Sequence, residues 1–225
     1  MAKFIVFEGV DRCGKSTQIK KVSEWLTRIG IENIVIQEPG TTTLGTMLRM
    51  ILKDRNIPCC YKAQKALFHA ARVQLVEEVI RPNLEKGITV LCDRYFLSTL
   101  CYQILPQSQK NINLCKDFVD TVNSYVKEIS EDIILPDITL IFHIDKRTYE
   151  NRGLNRATDR FEELDTFTKK VMNNYQMILA TSKILGEVQG YKMNIGETVI
   201  GINANYSEEV VFNDILYAIE PYFTK

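Results

Sequence analysis

Histidine is nearly absent from this 225-residue chain: only His69 and His143 occur. None of the six cysteines (Cys13, Cys59, Cys60, Cys92, Cys101 and Cys115) is paired as CxxC. That spacing excludes a Cys/His zinc centre, and with no Cys or Asp partner at ligand spacing both histidines read as structural. The scatter also lacks the density of a disulfide scaffold. An excess of one charge is missing too, since Lys plus Arg and Asp plus Glu stand at 28 each. There is thus no basic excess to suggest a broad surface for nucleic acid or membrane lipid. No segment approaches the roughly 18–20 apolar residues of a membrane span. The opening "MAKFIVFEGVDR" has too short an apolar run, and too many acidic residues, for a secretory leader. A reduced, cytoplasmic protein is expected. Linkers, repeats and low-complexity stretches are absent as well, so residues 1–225 read as one domain.

What is present is an alternation of two periodicities. Short runs rich in Val, Ile and Phe occur at 3–8, 32–37, 88–93, 137–144 and 197–204. Between them lie helical patterns at 15–29, 43–53, 61–81, 96–104, 112–130 and 164–183, and an amphipathic helix closes the chain. The 61–81 pattern carries an apolar stripe of Ala63, Leu67, Ala71, Leu75 and Val79 and is expected to stop before Pro82. Strands alternating with helices predict an α/β fold of three layers, with a central parallel five-stranded sheet flanked by helices.

Residues 9–16, "GVDRCGKS", fit GxxxxGK[ST] between a predicted strand and a predicted helix. Gly9, Val10, Asp11, Arg12, Cys13, Gly14, Lys15, Ser16 and Thr17 are thus candidates for phosphate binding. The glycines let backbone N–H groups turn inward, and the following helix adds the positive end of its dipole. In such a loop Lys15 reaches the β- and γ-phosphates and the Ser16 hydroxyl holds Mg²⁺. A chance glycine turn is the bland alternative, and the strand–loop–helix context weighs against it. No NKxD guanine-reading element occurs.

Further stretches accompany the loop: "QEPGTT" (37–42), "LFHAARVQLVEEVIRP" (67–82), "DRYFLSTLCYQ" (93–103), "PDITLIFHID" (136–145) and "RGLNRATDRFE" (152–162). Together with "FEGVDRCGKSTQ" (7–18) they resemble the thymidylate kinase family, in the family's order, through most of the first 165 residues. The resemblance implies a P-loop fold and transfer of phosphate from ATP to dTMP with Mg²⁺. It places Asp93 on Mg²⁺ with Ser16, and Asp11 at the acceptor's sugar or phosphate and at the metal. Arg94 would clamp the acceptor phosphate, a task that suits the planar fork of arginine. Phe68 would stack on thymine while Arg72, four residues on, hydrogen-bonds a base carbonyl. Thr99 would reach the thymine edge. Tyr102 would fill the place of a ribose 2′-OH, with Glu38, Ser98 and Gln103 in the same pocket. The bland readings are a capping role for Asp93, a surface ion pair for Arg94 and a core position for Phe68 beside a snorkelling Arg72. One departure stands out. The family often has arginine before "EPGG", where this chain reads Gln37–Glu38–Pro39–Gly40–Thr41, and Arg49 is the candidate replacement charge.

Transfer to a phosphate needs no general base, because the second phosphate pKa of about 6 leaves the nucleophile ionised at neutral pH. The site must instead align two anions and neutralise charge. Lys15, Arg12, Arg94, Arg152 and Arg156 are the catalytic candidates. Arg152, Arg156 and Arg160 recur every four residues within a polar stretch at 146–163. By resemblance this stretch is a lid over ATP; otherwise it is a solvated basic face beside Asp159, Glu162 and Glu163. The family has two designs, one with a basic residue in the loop and one with arginines in the lid, and this chain carries both. The resemblance also suggests a homodimer. Another P-loop kinase of a small acceptor is the competing enzyme, and a non-catalytic nucleotide switch the competitor from another class.

Overall fold

The computed structural model describes residues 1–108, 114–153, 166–185 and 193–223. Arg156, Arg160 and the second half of the expected lid lie outside them. The five predicted strands all form: β1 (Phe4–Gly9), β2 (Asn33–Gln37), β3 (Thr89–Asp93), β4 (Ile138–His143) and β5 (Thr198–Asn203). They make one parallel sheet in the order β2-β3-β1-β4-β5. All six residues of β1 are buried, which is why it reads as an unbroken apolar run with one acid, Glu8, in it. Edge strand β2, by contrast, leaves Val35 exposed.

Helices cover both faces. α1 (Lys15–Arg28) packs on β1, β2 and β3 and touches the closing helix α10 (Glu208–Ile219). α1 buries Ile19, Val22 and Leu26, which recur at helical spacing. The remaining helices are α2 (Thr43–Lys53), α3 (Tyr61–Leu75), α4 (Arg81–Glu85), α5 (Phe96–Thr99), α6 (Leu105–Ser108), α7 (Leu114–Ile129), α8 (Lys146–Gly153) and α9 (Thr166–Leu185). α9 lies on β4 and β5, and α5 on β1.

Two helices differ from expectation. The helix expected to stop before Pro82 runs on to Glu85 through a widened π turn, Val76–Ile80, in which the Arg81 N–H reaches back to the Val76 carbonyl. Pro82 then enters in the first turn of α4. A missing N–H costs little there, and the wide turn relieves the ring's clash with the preceding carbonyl. A second π turn, Leu100–Ile104, separates α5 from α6 and carries Tyr102 and Gln103. The first part of the expected polar lid, residues 146–153, is also helical. This helix, α8, is held to the body of the protein: the Asp145 carboxylate accepts the Thr148 N–H at 2.6 Å, and the Asp145 backbone N–H donates to Asn205 Oδ1 at 2.9 Å.

The register brings the functional stretches to one edge. Asp93, at the carboxyl end of β3, pairs with Phe7 of β1 and Gln37 of β2, and Gly9 pairs with Phe142 of β4. Loops 9–16, 37–42 and 93–98 therefore emerge side by side at the carboxyl edge, where ligands bind in such sheets. Gly9 has φ 140, and a Cβ there would lie 2.6 Å from the Phe142 carbonyl oxygen. Gly9→Ala is expected to lower unfolding free energy by about 2–3 kcal/mol, from strain and close approach together. Urea denaturation checks it; an unchanged midpoint would mean that the loop start tolerates a side chain.

Candidate active site

The loop 9–16 closes on its own lysine. Lys15 Nζ donates to the carbonyls of Gly9 (3.1 Å) and Val10 (2.9 Å) and to Cys13 Sγ (3.6 Å), so its ammonium sits inside the turn. Gly14 (φ 96) starts α1 with no side-chain cap, so the first-turn amides face the loop. The side chains of Val10 and Cys13 are buried and serve packing. Arg12 adopts φ 66, a left-handed conformation rare outside glycine. Its guanidinium lies over the Tyr149 ring, 5.2 Å from the centroid. Arg152 binds two backbone carbonyls, those of Arg12 (3.4 Å) and Ala204 (2.7 Å).

The "DRY" turn supplies the second wall. Ser16 Oγ donates to Asp93 Oδ2 at 3.0 Å, and Asp93 Oδ1 is buried with no hydrogen-bond partner among the described residues. An unmatched carboxylate oxygen beside the loop serine fits a Mg²⁺ ligand. The described residues contain no cluster of three or more His, Cys, Asp or Glu able to cage a metal. Asp11 is turned elsewhere: its Oδ1 accepts from Arg94 Nη2 at 2.7 Å. Burial would raise the Asp11 pKa, but Arg94 and Lys15 hold it down at about 2, so it is anionic at neutral pH. Arg94 (φ 70) also donates to the Gly9 carbonyl (2.9 Å) and Ser98 Oγ (3.1 Å), and lies over the Tyr102 ring at 5.4 Å.

Sequence reasoning gave no role to Glu8, which holds this turn in place. Its carboxylate accepts from the Tyr95 and Ser98 amides, Ser98 Oγ and Tyr175 Oη at 2.7–3.1 Å. Burial raises its pKa against the pull of those donors and of Arg94. The available signal was a lone acid inside an otherwise apolar strand.

Two cavities open here. One is polar and lined by Arg12, Lys15, Ser16, Asp93 and Arg152, with Gly14 and Thr17 at its floor. The other, with about 590 Å³ of open volume, is mostly apolar and lined by Pro39, Leu52, Phe68, Thr99, Tyr102 and Gln103, with Ser98 nearby. Asp11, Glu38, Arg49, Lys53 and Arg94 line both, so the cavities share a charged wall. Arg49, proposed as a replacement charge, is thus in place, its Nη1 donating to the Pro39 carbonyl at 2.8 Å. Lys53 escaped notice in the sequence, although it lies one turn beyond Arg49 on α2.

Arg72 stands behind the cleft rather than on its surface. It is fully buried, with Nε donating to Glu38 Oε2 (3.0 Å), Nη2 to Glu38 Oε1 (2.5 Å) and Thr99 Oγ1 (2.8 Å), and Nη1 to Tyr125 Oη (3.1 Å). Burial pushes the Glu38 carboxyl up to about 7, opposed by Arg72, while Glu38 keeps Arg72 firmly protonated. Gln103 donates to Gln64, which in turn holds the Cys59 carbonyl.

A phosphate loop, a strand-end Asp with the loop serine, and a second cleft joined to the first by arginines together define a P-loop phosphotransferase. The family model "Thymidylate kinase" matches residues 7–215, and the chain belongs to that family. It is 39% identical over 173 residues to a thymidylate kinase of Thermosipho africanus, covering 76% of this chain and 82% of that one. Identity is 37% over 190 residues to one of Thermosipho melanesiensis, covering 84% and 90%. It is 32% over 225 residues to one of Trichormus variabilis, covering 98% and 96%.

Arg72→Ala would strand the Glu38 carboxylate in the interior. The expected loss is about 3–5 kcal/mol of stability in urea unfolding. A loss below about 1 kcal/mol, the scale of an exposed pair, would show that the pair is solvated in practice.

Proposed function

We propose that the protein transfers the γ-phosphoryl group of ATP, bound with Mg²⁺ over residues 9–17, to dTMP seated in the apolar cleft, giving dTDP and ADP. The observation that carries this reading is the shared wall. A polar cavity over the phosphate loop and a mostly apolar cleft meet at Asp11, Arg49, Lys53 and Arg94, which supports a donor and an acceptor phosphate meeting there.

Each residue has a task in this scheme. Loop amides and Lys15 hold the β- and γ-phosphates. Ser16 and Asp93 would hold Mg²⁺, which would neutralise phosphate charge there. Arg94, fixed by Asp11, Gly9 and Ser98, clamps the acceptor phosphate. Arg12, Arg152 and Arg156 supply the positive charge that stabilises the moving phosphoryl group. Phe68 packs on thymine. Thr99 accepts from Arg72, which leaves its own hydroxyl hydrogen to donate to the base edge. Arg72 reaches a base carbonyl only through its second Nη1 hydrogen, so its larger effect is through Thr99 and Glu38. Tyr102 occupies the space beside the sugar and disfavours a 2′-OH by exclusion. The acceptor phosphate is already ionised, so no side chain abstracts a proton.

The place of action is the cytoplasm. Cys13, Cys59, Cys60, Cys92 and Cys101 are all free thiols, as a reducing compartment favours. No helix among the described residues is long and apolar enough to cross a membrane.

An acceptor panel with ATP and Mg²⁺ tests the reading: dTMP, dUMP, dCMP, AMP, GMP and thymidine. A pocket that packs against the thymine methyl should favour dTMP over dUMP by about tenfold or more in kcat/KM. Equal use of the monophosphates would sink the assignment, and transfer to none would favour the nucleotide switch.

The protein acts as a homodimer paired through α2. Leu44, Met47, Met50 and Ile51 leave one side of that helix apolar and exposed. The opposite side carries Arg49 and Lys53 to the cleft, so pairing there would stiffen the acceptor wall. Met50→Glu is expected to convert dimer to monomer in sedimentation equilibrium. A wild-type protein that sediments as a monomer at micromolar concentration would remove the pairing.

A further inference from the structure

Helix α8 grips one loop residue at two points. Tyr149 and Arg152 are three apart, so they share a helix face. Arg152 Nη1 takes the Arg12 carbonyl, and the Tyr149 ring lies under the Arg12 guanidinium. Tyr149 is only 2% exposed, so this contact is largely shielded from water. The helix is itself anchored, through Asp145 to Asn205 and through Arg152 to Ala204.

We infer that Tyr149 is a positioning residue: its ring seats the Arg12 guanidinium so that the charge is aimed before phosphoryl transfer begins. Guanidinium is planar and weakly hydrated, and it prefers an aromatic face to bulk water more than an ammonium does. Arg12 is a long side chain on a loop backbone held in the left-handed region. Left alone it would lose rotamer freedom each time it met the transferring group. A ring that holds it beforehand removes that loss from the catalytic step. The inference rests on the reading of Arg12 as stabiliser of the moving phosphoryl group.

The test is a double-mutant cycle read in kcat. Tyr149→Leu is expected to lower kcat about tenfold, the scale of a desolvated cation–π contact, with KM for both nucleotides within about twofold. Tyr149→Phe keeps the ring and should keep kcat within about twofold. In an Arg12→Gly background, Tyr149→Leu should change kcat no further. An equal fall in both backgrounds, or a Phe variant as poor as Leu, would overturn the role. If the Leu variant does not fold, NMR of the wild-type protein decides: the Arg12 Nε proton should lie upfield of that of exposed Arg28 through the ring current. Coincident resonances would remove the contact itself. Arg12→Gly with undiminished kcat would instead remove the catalytic reading of Arg12, so the two failures are told apart.

Discussion

The Glu8 carboxylate sits in the central strand with no exposure to water, and four donors converge on it from two other parts of the chain. A charge in that position is tolerable only when its lone pairs are matched. The matching groups are the amides and hydroxyl of the 95–98 turn and the hydroxyl of Tyr175 on α9. Satisfying one acid therefore fixes where the "DRY" turn lies against the phosphate loop. Arg94 then inherits its place, because Ser98 Oγ, held by Glu8, accepts from it. The site is thus assembled outward from a buried acid, with Arg94, which lines both cavities, only two hydrogen bonds away.

A buried ion pair serves the other side of the cleft. Glu38 and Arg72 meet in two-point fashion with no solvent between them, and Arg72 also holds Thr99. Removing either charge would leave the other isolated in the interior, which ties stability to the shape of the acceptor pocket. The same residue thus answers to two demands. An arginine that reads as a base contact in the sequence is first of all the counter-ion that allows "QEPG" to turn inward beside it.

The sheet was legible because parallel strands are buried on both faces and appear as unbroken Val/Ile/Phe runs; all five strands form where such runs occur. The phosphate loop was legible because its glycines and Lys15 answer to local backbone geometry. Pro82 misled, since a proline can enter a helix at a fresh first turn if the preceding turn widens, and nothing in the local pattern announces a π turn. Tyr149 was hidden for another reason. It stands in a polar, arginine-rich stretch whose mean character suggests solvent, yet it is buried by residues far away in sequence. Lys53 and Glu8 were similarly obscure, because their partners come from tertiary contact and not from spacing.

Arg12 and Arg94 both stand in backbone conformations that glycine would adopt without strain, and both face the nucleotide chambers. The protein therefore carries stored conformational energy at the two loops that deliver positive charge. Random drift toward a sturdier fold would find glycine attractive at either position and would remove a guanidinium from the cavity wall in doing so. A laboratory search for heat tolerance in this chain that scored only folded protein would therefore drift toward a more rugged chain with two fewer charges at its cavities.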